Sequence, residues 1–523
     1  MRKLAALTVT AVAVAGTLVV TAPAAEAATL TAWAGENWLV QSGTTKLTSI
    51  IKGAGADKAD KDDPDDGDIL TGVALTGAGV GVALIDSGVT PVKGLNGSGK
   101  VINGPDLSFE SQASNLRYLD TYGHGTHMAG IIAGQDPVLT FGSRFDGVAP
   151  GAHVVSVKVA SADGAVDVSQ IIAGIDWVVA HRNDPGLNIR VLNLSYGTES
   201  VQPAQLDPLA YAVEQAWEAG IVVVVAAGND GFAANQLTMP AADPDIIAVG
   251  GADPRGTDTR TDDVVADFSN RGNAARHPDV LAPGRSVVSL TSPGSYIDRT
   301  YPAAKLSLSE DMEQRFLRGS GTSQAAAVVS GSVALLLQQR PNLKPDEVKK
   351  LLMSTADPIA GGDAYAAGAG QINVARAART KTSGGKQDNV AATGLGSLEA
   401  ARGGAYVYDS VTGTPLTGEM DIFGKPWAAA AWAKASDEQT SWSGGTWNGS
   451  TWTGTTWGTA VAGSKTWTPV TWTGRSWSGV AWSGRSWSSA TWSGRSWSSQ
   501  TWTGRSWSGR SWSAAGWTGE PWH

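Results

Sequence analysis

Residues 79–88 read Gly-Val-Gly-Val-Ala-Leu-Ile-Asp-Ser-Gly, and this stretch decides the fold class. Its first seven residues are apolar or small without alternation, which is typical of a strand that is buried on both faces. Helical patterns cover residues 168–181 and 208–218. Strands that alternate with helices predict an α/β domain, in which a parallel β-sheet is sandwiched by helices. The other strand-like runs are at residues 154–159, 190–194, 221–225 and 246–249.

The composition excludes several classes of protein. The chain has 523 residues and no cysteine, which excludes disulfides, thiolate zinc sites, iron–sulfur clusters and a cysteine nucleophile. Its hydrophobic fraction of 42% is enough for a sizeable core. The formal net charge of −9 lacks the basic footprint of a nucleic-acid-binding protein, so we expect no nucleic-acid partner.

The N-terminus has the three parts of an export signal. Arg2 and Lys3 precede an uncharged, mostly apolar run at residues 4–20, and Ala25-Glu-Ala27 offers a small-x-small cleavage site. The alternative, a membrane anchor, would need a longer apolar run. We therefore predict a signal peptide at 1–27 and a secreted, extracellular protein without a transmembrane segment after signal removal.

The rest of the chain divides by composition into four regions. A short N-terminal pro or linker segment at 28–66 ends in the acidic run 57–66, which is either a solvated linker or a source of oxygen ligands for calcium. Residues 67–380 have the alternating pattern of a globular domain. Residues 381–426 form a Gly- and Ser-rich joining segment, and 427–523 form a tail of different composition.

The tail repeats tryptophan every five residues. Of the 22 tryptophans in the chain, 18 lie at the twenty positions from 427 to 522 in steps of five, which is interrupted only at Asp437 and Ala462. A period of five fits neither a strand nor a helix. The tail is thus either a pentapeptide solenoid with four units per coil or a disordered tether. Exposed indoles stack on sugar rings, so we also consider a cell-wall or polysaccharide-binding appendage and cell-surface association.

Two motifs carry ionisable side chains at the ends of predicted elements. Asp86 directly follows the buried strand, where an aspartate is either a presented carboxylate or a simple turn residue. His124 lies in Gly123-His-Gly-Thr-His-Met-Ala-Gly130, at the start of a helical pattern. His124 and His127 have a spacing that also suits two metal ligands, but no third ligand is visible in the pattern.

Two further motifs carry a hydroxyl and an amide. Ser323 lies among small residues before the helical run 325–337, as a nucleophile at a helix N-terminus or, with Thr322, as a plain cap. Asn229 follows the most apolar strand, as an oxyanion donor or a turn residue.

Together, the four motifs resemble those of the subtilisin-like serine peptidases, the subtilases. The order Asp86, His124, Asn229, Ser323 is that of the family, with separations of 38, 105 and 94 residues. The resemblance extends over residues 67–380. Further segments that resemble the family are 147–152, 193–197, 268–272, 281–284 and 370–374.

The resemblance implies a secreted serine endopeptidase that acts on polypeptide substrates through an acyl-enzyme. By analogy, Ser323 is the nucleophile, His124 the general base and Asp86 the residue that orients it. Asn229 and the Ser323 backbone N–H would bind the oxyanion. No cofactor is required for this chemistry.

By the same analogy, two segments line the pocket for the side chain that precedes the scissile bond, and calcium would have a structural role. The acidic run 57–66 and the pair Asp262-Asp263 are candidate calcium ligands. The rival interpretation is a non-catalytic surface- or polymer-binding protein that acts through the tail. The presence of all four site residues argues against it. The pocket residues implied are Ser195, Tyr196, Gly197, Ala226, Ala227 and Gly228.

Overall fold

The computed structural model describes residues 75–451 apart from 112, 114, 137–144, 256–259, 307–314, 360–361, 383, 409–413 and 444, and it also describes the backbone at 475–476 and 495–496. The predicted signal peptide, the segment 28–66 with its acidic run, and most of the tail lie outside the described residues.

Within the described residues, ten α-helices and three short 3₁₀ turns accompany the strands. None of these helices is both long and apolar enough to cross a membrane. The strands are β1 (Gly81–Asp86), β2 (Val101–Asp106), β3 (Gln135–Asp136), β4 (Phe145–Asp146), β5 (His153–Lys158), β6 (Ile189–Leu194), β7 (Val222–Ala226), β8 (Ile247–Asp253), β9 (Val264–Val265), β10 (Val280–Pro283), β11 (Val287–Leu290), β12 (Phe316–Gly319), β13 (Trp442–Ser443), β14 (Thr446–Trp447), β15 (Ser450–Thr451), β16 (Arg475–Ser476) and β17 (Arg495–Ser496). The α-helices are α1 (His124–Ala133), α2 (Val168–His181), α3 (Pro208–Glu218), α4 (Tyr296–Thr300), α5 (Thr322–Gln339), α6 (Pro345–Ser354), α7 (Ala364–Ala367), α8 (Val374–Arg379), α9 (Leu398–Arg402) and α10 (Ala429–Asp437), and the 3₁₀ turns are Phe232–Ala234, Arg260–Asp262 and Pro302–Ala304.

The central sheet has the strand order β10-β8-β7-β6-β1-β5-β2, and all of its neighbouring pairs are parallel. The short strand β9 adds to β8 in the antiparallel direction. All five strands predicted from the sequence belong to this sheet, as β1, β5, β6, β7 and β8. The predicted α/β class with a parallel sheet is confirmed.

Helices cover both faces of the sheet. Leu84 and Asn193 are register partners on β1 and β6, so they point to the same face, and Ile85 points to the other. A Cβ added to Gly174 of α2 would lie 3.4 Å from the Ile85 side chain. On the opposite face, Ser330 of α5 lies 2.9 Å from the Asn193 amide oxygen. The two long helices α2 and α5 therefore pack on opposite sides of β1 and β6.

The hydrophobic core continues past residue 380. We call residues 384–451, in their described parts, the C-terminal segment. Its buried side chains join the same core cluster as the sheet, so neither residue 380 nor residue 427 is the end of the packed domain. These side chains include Leu398, Ile422, Phe423, Trp427, Trp432, Trp442 and Trp447.

One buried carboxylate on α2 holds two of the first four tryptophans of the five-residue repeat. The carboxylate of Asp176 accepts hydrogen bonds from the indole N–H of Trp432 at 2.9 Å and of Trp447 at 2.8 Å. It also accepts one from the Ser436 hydroxyl at 2.9 Å. The Trp442 indole donates to the Ala173 carbonyl at 2.7 Å. These indoles are therefore part of the folded domain rather than exposed stacking platforms.

The remaining described strands of the repeat pair locally. β13, β14 and β15 form a small antiparallel sheet in which Trp442 lies opposite Trp447. β16 and β17 are parallel, with Arg475 opposite Arg495. This offset of 20 residues equals four five-residue units, the spacing expected of the predicted solenoid. The order of the tail as a whole stays a prediction.

Candidate active site

The parallel sheet brings the ends of β1 and β6 together. Asp86 and Ser195 each lie two residues beyond the register pair Leu84–Asn193, at the carboxyl edge of neighbouring strands about 4.8 Å apart. Asn229 follows the end of β7, the next strand along. This edge is where sites form in open α/β sheets.

Asp86 and His124 are in direct contact at this edge. Both carboxylate oxygens of Asp86 lie 2.9 Å from Nδ1 of His124, and both residues are buried. Gly125 is necessary for this approach, because a Cβ there would lie 2.2 Å from the Gly88 carbonyl oxygen and 3.1 Å from Oδ1 of Asp86. The carboxylate therefore holds the imidazole through Nδ1 and directs its Nε2 away from Asp86.

Asp120 organises the turn before His124. Its carboxylate accepts hydrogen bonds from the backbone N–H of Gly123 at 2.6 Å and of Thr126 at 2.7 Å, and its Oδ1 lies 2.7 Å from the Ser87 hydroxyl. Burial raises the pKa of Asp120 to about 6, against the effect of these donors. No motif in the sequence singled out Asp120, although an aspartate just before a helix is a common signal for a side chain that accepts from the first turn.

Ser323 is the second residue of α5 and is fully buried. Ser323 therefore lies at the positive end of the helix dipole, where the backbone N–H groups of the first turn have no acceptor within the helix itself. The Ser195 hydroxyl donates to the Ser323 carbonyl oxygen at 3.4 Å, which ties the end of β6 to the start of α5.

The Asn229 side chain has a fixed orientation beside Ser323. Its Oδ1 accepts from the backbone N–H of Thr322 at 2.8 Å and lies 3.1 Å from the Thr322 hydroxyl. The Nδ2 group of Asn229 is buried and has no hydrogen-bond partner among the described residues. One end of the amide is thus anchored, and its donor end is available to a ligand.

A cavity of about 510 Å³ begins next to these strand ends. Residues 198–200 and 202 line it, and we call the stretch 198–202 the cavity wall; residues 237–239 also line the cavity. Gly197 packs tightly at the start of the wall, since a Cβ there would lie 2.3 Å from the Thr238 hydroxyl. Thr198, which follows the segment 195–197, lines the cavity, and so does Asp230, two residues after Gly228. The six predicted pocket residues do not line it themselves, and their role in substrate binding stays a prediction.

The side chain of Tyr196 lies in the hydrophobic core, whereas the resemblance implied that Tyr196 lines the substrate pocket. Its side chain is 1% exposed and belongs to the core cluster. It lies close enough to Asp167 and Arg402 for their charges to act on its hydroxyl, and burial raises its pKa well above the usual range. Because successive side chains of an extended segment point in opposite directions, Ser195 faces α5 while Tyr196 faces the C-terminal segment.

Glycine is also required at position 228, in the pocket segment 226–228. Gly228 has a φ of 111°, and an added Cβ would lie 2.5 Å from the Asn270 amide nitrogen. Ala226 and Ala227 before it are buried. Only small residues fit between β7 and the neighbouring loop.

One cluster of carboxylates among the described residues has the geometry to hold a metal ion. It consists of Glu214, Asp243 and Asp245, whose ligand atoms lie within 4.8 Å of one another. Burial raises the pKa of both Glu214 and Asp243. Repulsion by Asp243 raises the pKa of Glu214 further, and repulsion by Asp245 raises that of Asp243. The calcium candidates Asp262 and Asp263 are not part of such a cluster within the described part of the chain.

Known proteins of one family are similar to this chain over most of the residues described above. The profile of the subtilase family (peptidase S8) matches residues 77–396. The serine protease AprX of Bacillus subtilis is 38% identical over 311 residues, which are 58% of this chain and 67% of AprX. Subtilisin DY of Bacillus licheniformis is 34% identical over 58% of this chain and 92% of its own length.

Two further proteins are similar over a smaller share of their own length. The minor extracellular protease Epr of Bacillus subtilis is 32% identical over 51% of this chain and 33% of Epr. The crystal structure of fervidolysin from Fervidobacterium pennivorans, a keratinolytic enzyme, aligns with a TM-score of 0.47 at 27% identity over 59% of this chain and 43% of fervidolysin.

Proposed function

The chain belongs to the subtilase family of serine proteases, and on that premise we propose that Asp86, His124 and Ser323 form its catalytic triad. The observation that carries the proposal is the buried contact of both Asp86 oxygens with Nδ1 of His124 at 2.9 Å. With its proton on Nδ1, His124 has Nε2 available as the general base.

The proposed reaction is cleavage within polypeptides through an acyl-enzyme. Ser323 Oγ attacks the peptide carbonyl carbon while His124 Nε2 takes the hydroxyl proton. The resulting oxyanion accepts hydrogen bonds from Asn229 Nδ2 and the Ser323 backbone N–H. His124 then gives the proton to the amide nitrogen as the scissile C–N bond breaks, so that the amine leaves and the acyl group stays on Ser323. A water molecule gives a proton to the same imidazole and attacks the ester carbonyl carbon. The ester C–O bond then breaks, Ser323 Oγ takes the proton from His124, and the carboxylic acid product leaves.

The cavity beside the site is proposed to take the substrate side chain that precedes the scissile bond. Support comes from two sets of contacts. The Ser195 hydroxyl donates to the Ser323 carbonyl, and Gly197 and Gly228 pack against Thr238, which lines the cavity. Tyr196 contributes through its backbone, because its ring is buried on the other side.

Labelling by a fluorophosphonate serine probe tests the triad. We expect the purified full-length protein to be labelled and the Ser323→Ala variant to be unlabelled. Ser332→Ala is the matched control, because Ser332 is a buried serine of the same helix whose hydroxyl donates to the Val328 carbonyl at 2.8 Å. An equal signal from wild type and Ser323→Ala would overturn the proposed nucleophile.

Secretion is proposed from residues 1–27. Expression of Ser323→Ala in a secreting bacterium prevents self-cleavage, so the N-terminus found in the medium reports the signal peptidase alone. We expect it at Ala28. Retention of the variant in the cells, with Met1 intact, would refute the signal.

Cell-wall or polysaccharide contact by the tail is a second proposal. It rests on the tryptophans beyond residue 451, since those at 427–447 are used by the core. Full-length Ser323→Ala should bind insoluble peptidoglycan, chitin or cellulose, and the same protein ending at Thr451 should not. Equal behaviour of the two on all three polymers would exclude this role.

A further inference from the structure

The cavity wall rests on the C-terminal segment. The Thr198 hydroxyl donates to the Ala401 carbonyl at 2.7 Å. Gln202 forms a reciprocal pair with Ser397, in which the Gln202 amide donates to the Ser397 carbonyl at 2.8 Å and accepts from the Ser397 N–H at 2.9 Å. The wall is therefore bonded at both of its ends to residues that follow the family match in sequence.

Between these bonds, the two backbones are in direct contact. An added Cβ at Gly403 would lie 2.3 Å from the Glu199 carbonyl carbon and 2.5 Å from its oxygen. Gly403 also has a φ of 57°, which disfavours other residues. The wall cannot move towards the C-terminal segment without displacing it.

A buried guanidinium holds this part of the C-terminal segment in place. Arg402 is fully buried, and its Nε donates to Asp167 at 2.6 Å. Its terminal nitrogens donate to the carbonyl oxygens of Gly418, at 2.7 Å, and Met420. Asp167 is in turn the N-cap of α2, with its other oxygen 2.9 Å from the Ser169 N–H. Arg402 thus links α2 to the segment that contacts the wall.

We propose that Arg402 is a positioning residue for substrate recognition, and that residues 397–403 set the shape of the cavity wall and hence the selectivity for the substrate side chain. This inference rests on the proposed function only in that the cavity receives this side chain. It assigns a role in recognition to a part of the chain that lies beyond the family match, which ends at residue 396.

The test uses Thr198→Val, which removes one hydrogen bond to the C-terminal segment at nearly constant volume, and Arg402→Lys, which keeps the charge but loses the fork of donors. Thr355→Val is the matched control. Thr355 is as buried as Thr198, and its hydroxyl also donates to a carbonyl at 2.7 Å, that of Leu351. It does not line the cavity.

The readout is kcat/KM, per active site titrated with the fluorophosphonate, for peptide p-nitroanilides that differ only in the residue before the scissile bond. Loss of folded enzyme would lower the rate with every substrate by the same factor. The ratio of kcat/KM between two substrates therefore reports only on recognition of the side chain. We expect the ratio to change roughly threefold to tenfold in Thr198→Val and Arg402→Lys, as for loss of a buried hydrogen bond. Thr355→Val should retain the wild-type ratio within about twofold. Wild-type ratios in both Thr198→Val and Arg402→Lys would overturn the proposal.

Amide hydrogen exchange supplies a readout that needs no activity. Exchange at residues 195–202 should be faster in Thr198→Val than in wild type and unchanged in Thr355→Val. If the wild type cleaves no peptide while this difference is observed, the proposed function fails and the positioning by the C-terminal segment stands. Unchanged exchange at 195–202 in both Thr198→Val and Arg402→Lys would refute the positioning itself.

Discussion

At the scale of single residues, Asn229 shows how one amide serves both structure and chemistry. Its oxygen is used by the N–H of Thr322, and its buried nitrogen has no partner among the described residues. We expect Asn229→Ala to lower kcat by about 10²- to 10³-fold, typical of the loss of one oxyanion donor, with a small change in KM. Steady-state kinetics on a peptide p-nitroanilide measures this. A loss in kcat below about threefold would contradict the donor role.

A second residue, Asp421, makes stability depend on pH. It is fully buried, and burial raises its pKa to about 6, from about 3.9 in an unfolded chain. The stability it contributes is complete below pH ~4 and is lost as the pH rises through ~6. In the Ser323→Ala background, we expect Asp421→Asn to have the same free energy of unfolding as its parent near pH 4. At pH 7.5 its free energy of unfolding, measured with urea, should exceed that of the parent by up to about 3 kcal/mol.

Asp279 supplies a control of opposite sign. Burial opposes its ionisation, but the nearby cations of Arg276 and Lys349 lower its pKa below the usual value. Its stabilisation is present above the unfolded pKa and is lost as the pH falls through the folded pKa. Asp279→Asn should therefore destabilise the protein at pH 7.5, and the loss should shrink on acidification. If the stability difference from the parent changed with pH in the same direction for both variants, either the pKa of Asp421 would not be raised or that of Asp279 would not be lowered.

At the scale of elements, α2 and α10 are joined by a polar contact inside the core. Asp176→Ala would leave the indole N–H groups of Trp432 and Trp447 buried without an acceptor, at about 1–3 kcal/mol each. We expect urea unfolding to show a loss of about 3 kcal/mol or more, and hydrogen exchange to show a faster rate over α10. Asp437→Ala, at the exposed end of α10, should change stability by about 0.5 kcal/mol or less. Equal effects of the two variants would refute the anchor.

At the scale of the whole molecule, the C-terminal segment completes the core. A chain that ends at Gly396, where the family match stops, would expose the face of α2 and α3 that Trp432 and Trp447 cover. We expect this truncation of Ser323→Ala to be insoluble or to unfold without a cooperative transition. A chain that ends at Thr451 keeps the contacts of the core cluster and should melt within a few degrees of the full-length protein. Cooperative melting of the shorter chain at the full-length temperature would show that the segment is dispensable.

Features that depend on neighbouring residues could be predicted from the amino-acid sequence alone. The uninterrupted apolar run before Asp86 predicted a buried strand, and the periodicity of residues 168–181 and 208–218 predicted two helices with their observed bounds. Side-chain type and order also identified Asp86 and His124, which the structure brings into contact. Such signals are readable because strand and helix patterns repeat within a few residues.

Contacts between distant parts of the chain became visible only in the folded protein. The five-residue register gave its tryptophans one common pattern, yet those at 432 and 447 are buried on Asp176, a partner more than 250 residues away. Thr198 and Ala401 are separated by 203 residues, and neither carries a local sign of their bond. Packing is decided by which surfaces meet after folding, and a sequence pattern of short period contains no information about a contact between remote segments.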